Sequence, residues 1–306
     1  MDIGVRQISP LEFDSFYGSE NRLGAYYARN IGGDGFILSA FRATTPLGYA
    51  ICKAEGSGRF SVRVVYVIEE HRRSGVASRL FDELEKICSK FVQFSLDTIK
   101  ICLAEDSEGF DFKRASLVKR GYSRSDKVYV FLCDEDGYSR WEEYMRRRGN
   151  GLIKWIEDMG YSAVPFEDAP TPCLDTLRAG AGNEYGNSLD IAPFLDGKRS
   201  DFLKDASFAA IKDGRPTAYC LVTGPDRNSA LFEQISVAMA HKNTGVLLLP
   251  LSMSMRRVKE LGYKRAVYAI YEDNSPALVF AERILGKVTG KKKTQYNFEK
   301  KFRGGG

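Results

Sequence analysis

The sequence predicts a mixed α/β protein made of two tandem domains, each a central, mostly antiparallel sheet flanked by helices. Three observations carry this. First, "YVIEEHRRSGVASRLFDEL" (66–84) has a counterpart in "ISVAMAHKNTGVLLLPLSM" (235–253): a β-rich run, then His, a basic residue, two further residues and Gly-Val. The offset from His71 to His241 is more than half the chain, which marks a duplicated domain and not a solenoid repeat. Second, the same kinds of element flank both segments in the same order. Third, one segment between the copies reads as a linker.

In chain order, "GFILSAFRATTPLGYAICKAEG" (35–56) reads as two β-rich runs broken at Thr45-Pro46. Its partner, "SFAAIKDGRPTAYCLVTG" (207–224), breaks at Asp213-Gly214, a strong hairpin signal. The run "FSVRVVYVI" (60–68) leads into an amphipathic helix, with Val76, Leu80, Phe81, Leu84, Ile87 and Cys88 on one face. Next come strands "TIKICLA" (98–104) and "RAVYAIY" (265–271), helices "FKRASLVKRGY" (112–122) and "SPALVFAERILG" (275–286), and closing β-rich runs "KVYVFLCD" (127–134) and "TQYNFEKKF" (294–302). Each half is expected to close with its own run. Between them, "SRWEEYMRRRGNGLIKWIEDMG" (139–160) reads as helix, Gly-Asn-Gly break and helix, which places the domains at 1–148 and 149–306. Its three arginines read as a solvated helix face.

Composition limits the function classes. The 306 residues are 43% hydrophobic and 28% charged, ordinary for a globular protein. No apolar run approaches the roughly 18 residues of a membrane span, and the N-terminus has an early acid and no apolar core of a signal peptide. Six cysteines, of which Cys88 and Cys102 are the nearest pair, and two histidines offer no metal knuckle and no disulfide frame. Reduced thiols and a cytoplasmic location are expected. A net charge of +5 favours small anionic ligands slightly and does not argue for nucleic acid.

The most informative stretch is Arg72-Arg73-Ser74-Gly75-Val76-Ala77. Ser74 or Gly75 would serve as an N-cap. Two arginines at the positive end of a helix dipole, where acids are normally preferred, need another explanation. Free backbone amides with Arg72 and Arg73 suit a phosphate or pyrophosphate, Gly75 lets the backbone approach, and Ala77 leaves room above the first turn.

These six residues resemble the R/Q-x-x-G-x-G/A signature of the GCN5-related N-acetyltransferases (GNAT family), which binds the pyrophosphate of acetyl-CoA through backbone amides. Val67 matches the strand valine that usually precedes it. In the second half "YEDNSPALVFAERILG" resembles the family's later N-x-P-A motif, in which Asn274 would meet the cofactor or simply cap the helix, with Pro276 in the first turn. The resemblance implies two tandem GNAT-like domains and an N-acyltransferase moving acetyl from acetyl-CoA to a primary amine of a small molecule or peptide, with no metal, nucleic acid or membrane partner. A CoA-binding module of little or no activity, or a transferase of a bulkier acyl or aminoacyl group, are the alternatives.

The second copy departs from the signature. Leu247 stands where the family has Gly or Ala, and Pro250 is expected to remove a helix hydrogen bond. Acetyl-CoA is therefore expected in the first half. The tyrosine that many members use to protonate the thiolate is Leu117 in one half and Ala281 in the other. Tyr122 or Tyr129 is a candidate substitute, and Ser107 is the first half's nearest equivalent of the asparagine. For a general base, Glu233 matches a strand glutamate of some members; its first-half counterpart is Arg63, and Glu69 and Glu70 read as solvated. Two further stretches are decoys. "GAGNEYG" (180–186) follows a helix and not a strand, so it reads as a plain loop. The basic tail "GKKKTQYNFEKKFRGGG" reads as a final strand with solvated lysines, or as an attraction for phosphates.

Overall fold

The computed structural model describes residues 3–18, 21–29, 31–33, 35–55, 59–90, 98–180, 184–185 and 191–302. Contacts divide the chain into one unit of residues 1–127 with 294–306 and another of residues 128–293. Parts of "GAGNEYG" (181–183 and 186) and the last four residues (303–306) lie outside the described residues.

The first unit runs β1 (Gly4–Ile8), α1 (Pro10–Tyr17), α2 (Arg22–Arg29), β2 (Gly35–Arg42), β3 (Thr45–Glu55), β4 (Arg59–Val67), α3 (Val76–Ser89), β5 (Thr98–Ala104) and α4 (Phe110–Lys119), and then enters β6 (Ser123–Cys133). The second continues through α5 (Glu135–Tyr144), α6 (Asn150–Asp158), β7 (Ser162–Pro165), α7 (Thr171–Gly180), α8 (Ala192–Leu195), β8 (Phe208–Lys212), β9 (Arg215–Thr223), β10 (Ser229–Val237), α9 (Leu248–Glu260), β11 (Arg265–Tyr271), α10 (Ser275–Phe280) and α11 (Gly286–Val288), before β12 (Lys291–Lys301) ends the chain.

Both units share one strand pattern. β1, β2, β3 and β4 pair antiparallel in series, and β4 pairs parallel with β5. β7, β8, β9 and β10 do the same, and β10 pairs parallel with β11. The repeat extends to backbone irregularities. Turns at Ala43–Thr44 and Asp213–Gly214 close the first hairpin of each unit, with φ of 54° at Ala43, 50° at Asp213 and 74° at Gly214. Bulges fall at Leu47 and Thr217, and again at Arg63 and Glu233. Each of these pairs has the same offset in the chain as His71 and His241. The first hairpin turns two residues before the expected Thr45-Pro46 break. Pro46 lies within β3, beside the Leu47 bulge, one of the places a sheet tolerates proline.

Two expectations are corrected. The closing runs are exchanged: β12 pairs antiparallel with β5, and the Val128–Cys133 part of β6 pairs antiparallel with β11. The units accordingly divide at Lys127/Val128, within β6, whereas the sequence placed its boundary at 148/149. Local alternation fixes which face of a strand is buried but not which sheet it joins. The Gly149-Asn150-Gly151 break is also missing. Helix continues from α5 to α6 through a π turn at Met145–Gly149, where Gly149 lies so close to the Met145 thioether that a side chain there would collide with it.

In the first unit α3 buries Val76, Leu80, Leu84 and Cys88 against Phe60, Val62, Ile99, Ile101 and Phe298 of the sheet, with Phe81 and Ile87 half-buried at its flanks. On the opposite face Phe13 and Tyr17 of α1 pack with Tyr49 and Ile51 of β3. Helix α1 starts with a capping box, Ser9 Oγ accepting from Glu12 N–H (3.2 Å) and the Glu12 carboxylate from Ser9 N–H (2.8 Å). These bonds and Arg6 hold the Glu12 carboxyl at about 2, down from 4.5. A depressed acid stabilises the fold above its unfolded pKa, so this contribution is complete above pH 4.5 and is lost as pH falls towards 2. A carboxyl titration of Glu12 by NMR should show its midpoint near 2 in the wild type and a higher one in an Arg6→Ala, Ser9→Ala variant, still short of its ordinary value because the backbone N–H of residue 9 remains.

Candidate functional site

The first unit's site begins where two parallel strands part. β4 and β5 pair from Arg59↔Thr98 only to Val62↔Ile101. Past the Arg63 bulge, Val64 to Val67 stay paired with β3 alone. Ile68 N–H then bonds Leu47 O (3.0 Å), a 3-10 turn spans Glu69–His71, and the chain swings into α3.

The swing exposes donors. Arg73 and Gly75 both have positive φ, 64° and 85°, and the Ser74 hydroxyl donates to His71 O at 2.6 Å, closing the turn from within. Gly75 is the N-cap, with no side-chain cap and no acid in the first turn. The first intrahelical bond runs from Arg79 N–H to Gly75 O, which leaves the amides of Val76, Ala77 and Ser78 without an intrahelical acceptor. A Cβ built on Gly75 would meet no atom within 4 Å, so the space over the loop is open. Arg72 and Arg73 are exposed beside it. Arg72 stands 3.8 Å from Glu69 and 3.7 Å from Glu108, loose solvent-exposed pairs that a multiply charged anion can displace. Open amides, an uncapped helix of 14 residues and two guanidinium groups fit a pyrophosphate. Val67, at the end of β4, is half-buried against the core and shapes the floor.

The second unit makes the same turn and closes it. Asn243 and Gly245 repeat the positive φ values, at 72° and 75°, and the Thr244 hydroxyl donates to His241 O (2.7 Å). Here, however, Val246 N–H is taken by Thr244 Oγ1, Leu248 N–H by Gly245 O and Leu249 N–H by Val246 O. Leu152 and Ile156 of α6 stand 3.8–3.9 Å from where a Gly245 Cβ would be, over the ground that is open in the first unit. Pro250 is the third residue of α9, where its missing N–H would have had no intrahelical partner; the expected loss of a helix bond does not occur.

The remaining candidates divide. Tyr122 is 2% exposed in the core beside Phe81, and burial and the neighbouring Glu85 carboxylate push its pKa far up. That environment argues against its giving up a proton. Tyr129 is half-buried under the Lys292 ammonium in the second unit. Leu117 and Ala281 are core residues. Glu233 Oε1 accepts from Arg199 (3.0 Å) and from the Thr223 hydroxyl (3.1 Å), while Arg199 also grips Asp201, so this carboxylate is already engaged. Asn274 caps α10, accepting from Ala277 N–H at 3.3 Å. Ser107 lies in the turn after β5, its Oγ buried and without a recorded partner. The turn's next residue, Glu108, is the one that reaches Arg72.

One group was missed from sequence. Tyr296, on β12 opposite Leu103, donates to Glu105 Oε1 (3.3 Å) just past the end of β5, with its ring 5.5 Å from Phe110 at the start of α4. Only the strand exchange brings it there. Among the described residues no group of His, Cys, Asp and Glu is placed to hold a metal ion, and no helix is long and apolar enough to cross a membrane. All six cysteines are free thiols, five of them buried.

Residues 5–101 match the Acetyltransferase (GNAT) family. No curated protein matches the chain by sequence. Among solved structures, a tandem GNAT protein from the clavulanic acid biosynthesis pathway covers 100% of both chains at 13% identity and a TM-score of 0.67. A GCN5-related N-acetyltransferase from Sphaerobacter thermophilus covers 99% of this chain and 96% of its own at 14% identity and 0.69. A putative acetyltransferase from Pyrococcus horikoshii covers 98% and 90% at 15% identity and 0.51. At these identities the likeness is one of fold, and it extends over both units.

Proposed function

We propose that this chain, a tandem GNAT protein whose first unit matches the family in sequence, is a cytoplasmic acyl-CoA-dependent N-acyltransferase that acetylates a primary amine of a small molecule or peptide. The observation that carries the proposal is the contrast between the two loops: the amides of Val76, Ala77 and Ser78 are open, whereas two of their three equivalents, Val246 and Leu248, are taken by Thr244 Oγ1 and Gly245 O. Residues 72–78 would hold the pyrophosphate of acetyl-CoA, which supplies the acyl group as an activated thioester. Gly75 keeps the approach clear, and Arg72 and Arg73 add charge. The parted strands β4 and β5 leave backbone on β4 past Val62 that pairs with no β5 residue, a place for donors to a developing oxyanion.

For proton movement the phenol of Tyr296 is better placed than that of Tyr122, because it already meets a polar partner, Glu105, at the end of β5. In steady-state assays with acetyl-CoA and a responsive amine, Tyr296→Phe is expected to lower kcat about a hundredfold or more, within the range of general acid–base catalysis. Tyr122→Phe is expected to leave kcat unchanged, since its hydroxyl is buried in the core. The direct test of the function is calorimetric titration with acetyl-CoA followed by an amine screen. Saturable binding at one site per chain supports the reading; no binding would overturn it.

A further inference from the structure

The second unit parts its parallel strands as the first does. β10 and β11 pair from Ser229↔Arg265 only to Phe232↔Tyr268. Beyond that point Gln234 to Val237 stay paired with β9 alone, and Ala269 to Tyr271 with β6 alone. Ala238 N–H bonds Thr217 O (2.8 Å), which continues the β9 register by one residue. In an antiparallel ladder alternate residues face the same neighbour. Gln234 and Ser236 therefore turn their backbone groups to β9, while Ile235 and Val237 turn theirs to the side that β11 has left. Ala269 is exposed although β11 has a strand on either side, and Ile235, Val237 and Ile270 are half-buried, so the parting is open. Gln234 marks its start. It stands where the first unit has Val64, at the offset of His71 and His241. It is 7% exposed, and neither its carboxamide oxygen nor its nitrogen has a recorded hydrogen-bond partner among the described residues. An amide left so is destabilising until a polar group meets it.

We infer that the parting of β10 and β11 binds a short extended peptide, which adds as a strand to the free edge at Ile235 and Val237. In strand addition main-chain bonds supply the affinity and alternate side chains the specificity. Peptide residues on the face of Ile235 and Val237 are apolar, because both pack with the core under α9. The residue on the other face is polar and meets the Gln234 carboxamide. The free stretch from Gln234 to Val237 sets the length at about four or five residues, at roughly 3.3 Å each. The occupant carries no pyrophosphate, since the anion turn of this unit has its Val246 and Leu248 amides taken and Leu152 and Ile156 beside Gly245. This site and the acyl-CoA site of the first unit stand or fall separately.

The probe is the capped peptide acetyl-Val-Ser-Val-Ser-Val-amide, and its control is the same peptide methylated at every backbone nitrogen. In the free protein, amide hydrogen exchange read by NMR is expected to be about tenfold or more faster at Ile235 and Val237 than at Gln234 and Ser236, and the peptide should slow the fast pair. Calorimetry is expected to show saturable binding that methylation weakens about tenfold or more and Gln234→Met about tenfold, the worth of one hydrogen bond left unmade. Gln234→Met keeps the side-chain length, and replacing an unpaired amide should raise Tm while affinity falls. Damage to the fold would lower both. Equal exchange at the four amides of the free protein, no saturable binding, equal affinity for the two peptides, or unchanged affinity in Gln234→Met would each overturn the inference.

Discussion

Gly75→Trp should abolish acetyl-CoA binding while leaving the protein folded. Calorimetry is expected to show a loss of about a hundredfold or more, roughly 3 kcal/mol. Two effects act together. The indole fills the open space above the amides of Val76 to Ser78, and a side chain at φ 85° strains the N-cap from which those amides are aimed. The strain costs only about 1–2 kcal/mol, and with no atom within 4 Å of the new Cβ there is no packing to disrupt. Gly245→Trp, at the equivalent turn of the second unit, is the matched control. There the new side chain runs into Leu152 and Ile156, so it should destabilise the second unit by about 1–3 kcal/mol and leave acetyl-CoA affinity unchanged. If the folded Gly245 variant loses binding and the Gly75 variant keeps it, the cofactor belongs to the second loop and the proposal is wrong.

The same pair of loops shows what sequence could and could not disclose. Arg72 to Ala77 are contiguous, so their geometry follows from local rules: a strand end, a glycine at positive φ, a helix with no acid at its start. The duplication was legible for the same reason, because His71 and His241 and the flanking β-rich runs are local patterns at one offset. Leu247 marks the second loop as different in sequence, and the fold adds differences that the sequence does not show. Its amides are closed by Thr244 Oγ1 and by Gly245 and Val246 carbonyls, and α6 covers the glycine. Those contacts depend on how distant segments pack, which no run of six residues records. The surroundings of Tyr122 and Glu233 depend on distant packing in the same way. A tyrosine beside Gly121 looks available until α3 and Lys300 are seen to enclose it, and a strand glutamate looks basic until Arg199 arrives from an earlier loop.

The strand exchange has the largest energetic consequence, and it reverses the expected pairing of sequence and stability. Phe298 is 2% exposed, sits in the last strand, and belongs to the core under α3 with Leu80, Leu84 and Ile101. Lys300 adds a 2.6 Å bond to Glu85 on α3. Phe298→Ala should therefore cost about 3–5 kcal/mol in the first unit, although the residue follows the whole second unit in the chain. Phe131, 1% exposed in β6 opposite Tyr268, belongs to the core beneath α9, so Phe131→Ala should cost as much in the second unit. Either loss is a large share of the roughly 5–15 kcal/mol that holds a domain together. Amide hydrogen exchange separates them. With Phe298→Ala, protection should fall in α3 and β5, and acetyl-CoA affinity should fall because the amides of the anion loop are no longer held in place. With Phe131→Ala, protection should fall in α9 and β11. The opposite assignment, Phe298→Ala opening α9 and Phe131→Ala opening α3, would mean that each half keeps its own closing strand. The first unit could then be cut free of the second at the linker and still bind. With the exchange in place, a chain truncated before β12 lacks the strand that completes the first unit, so any separation of the halves must carry residues 294–302 with the first.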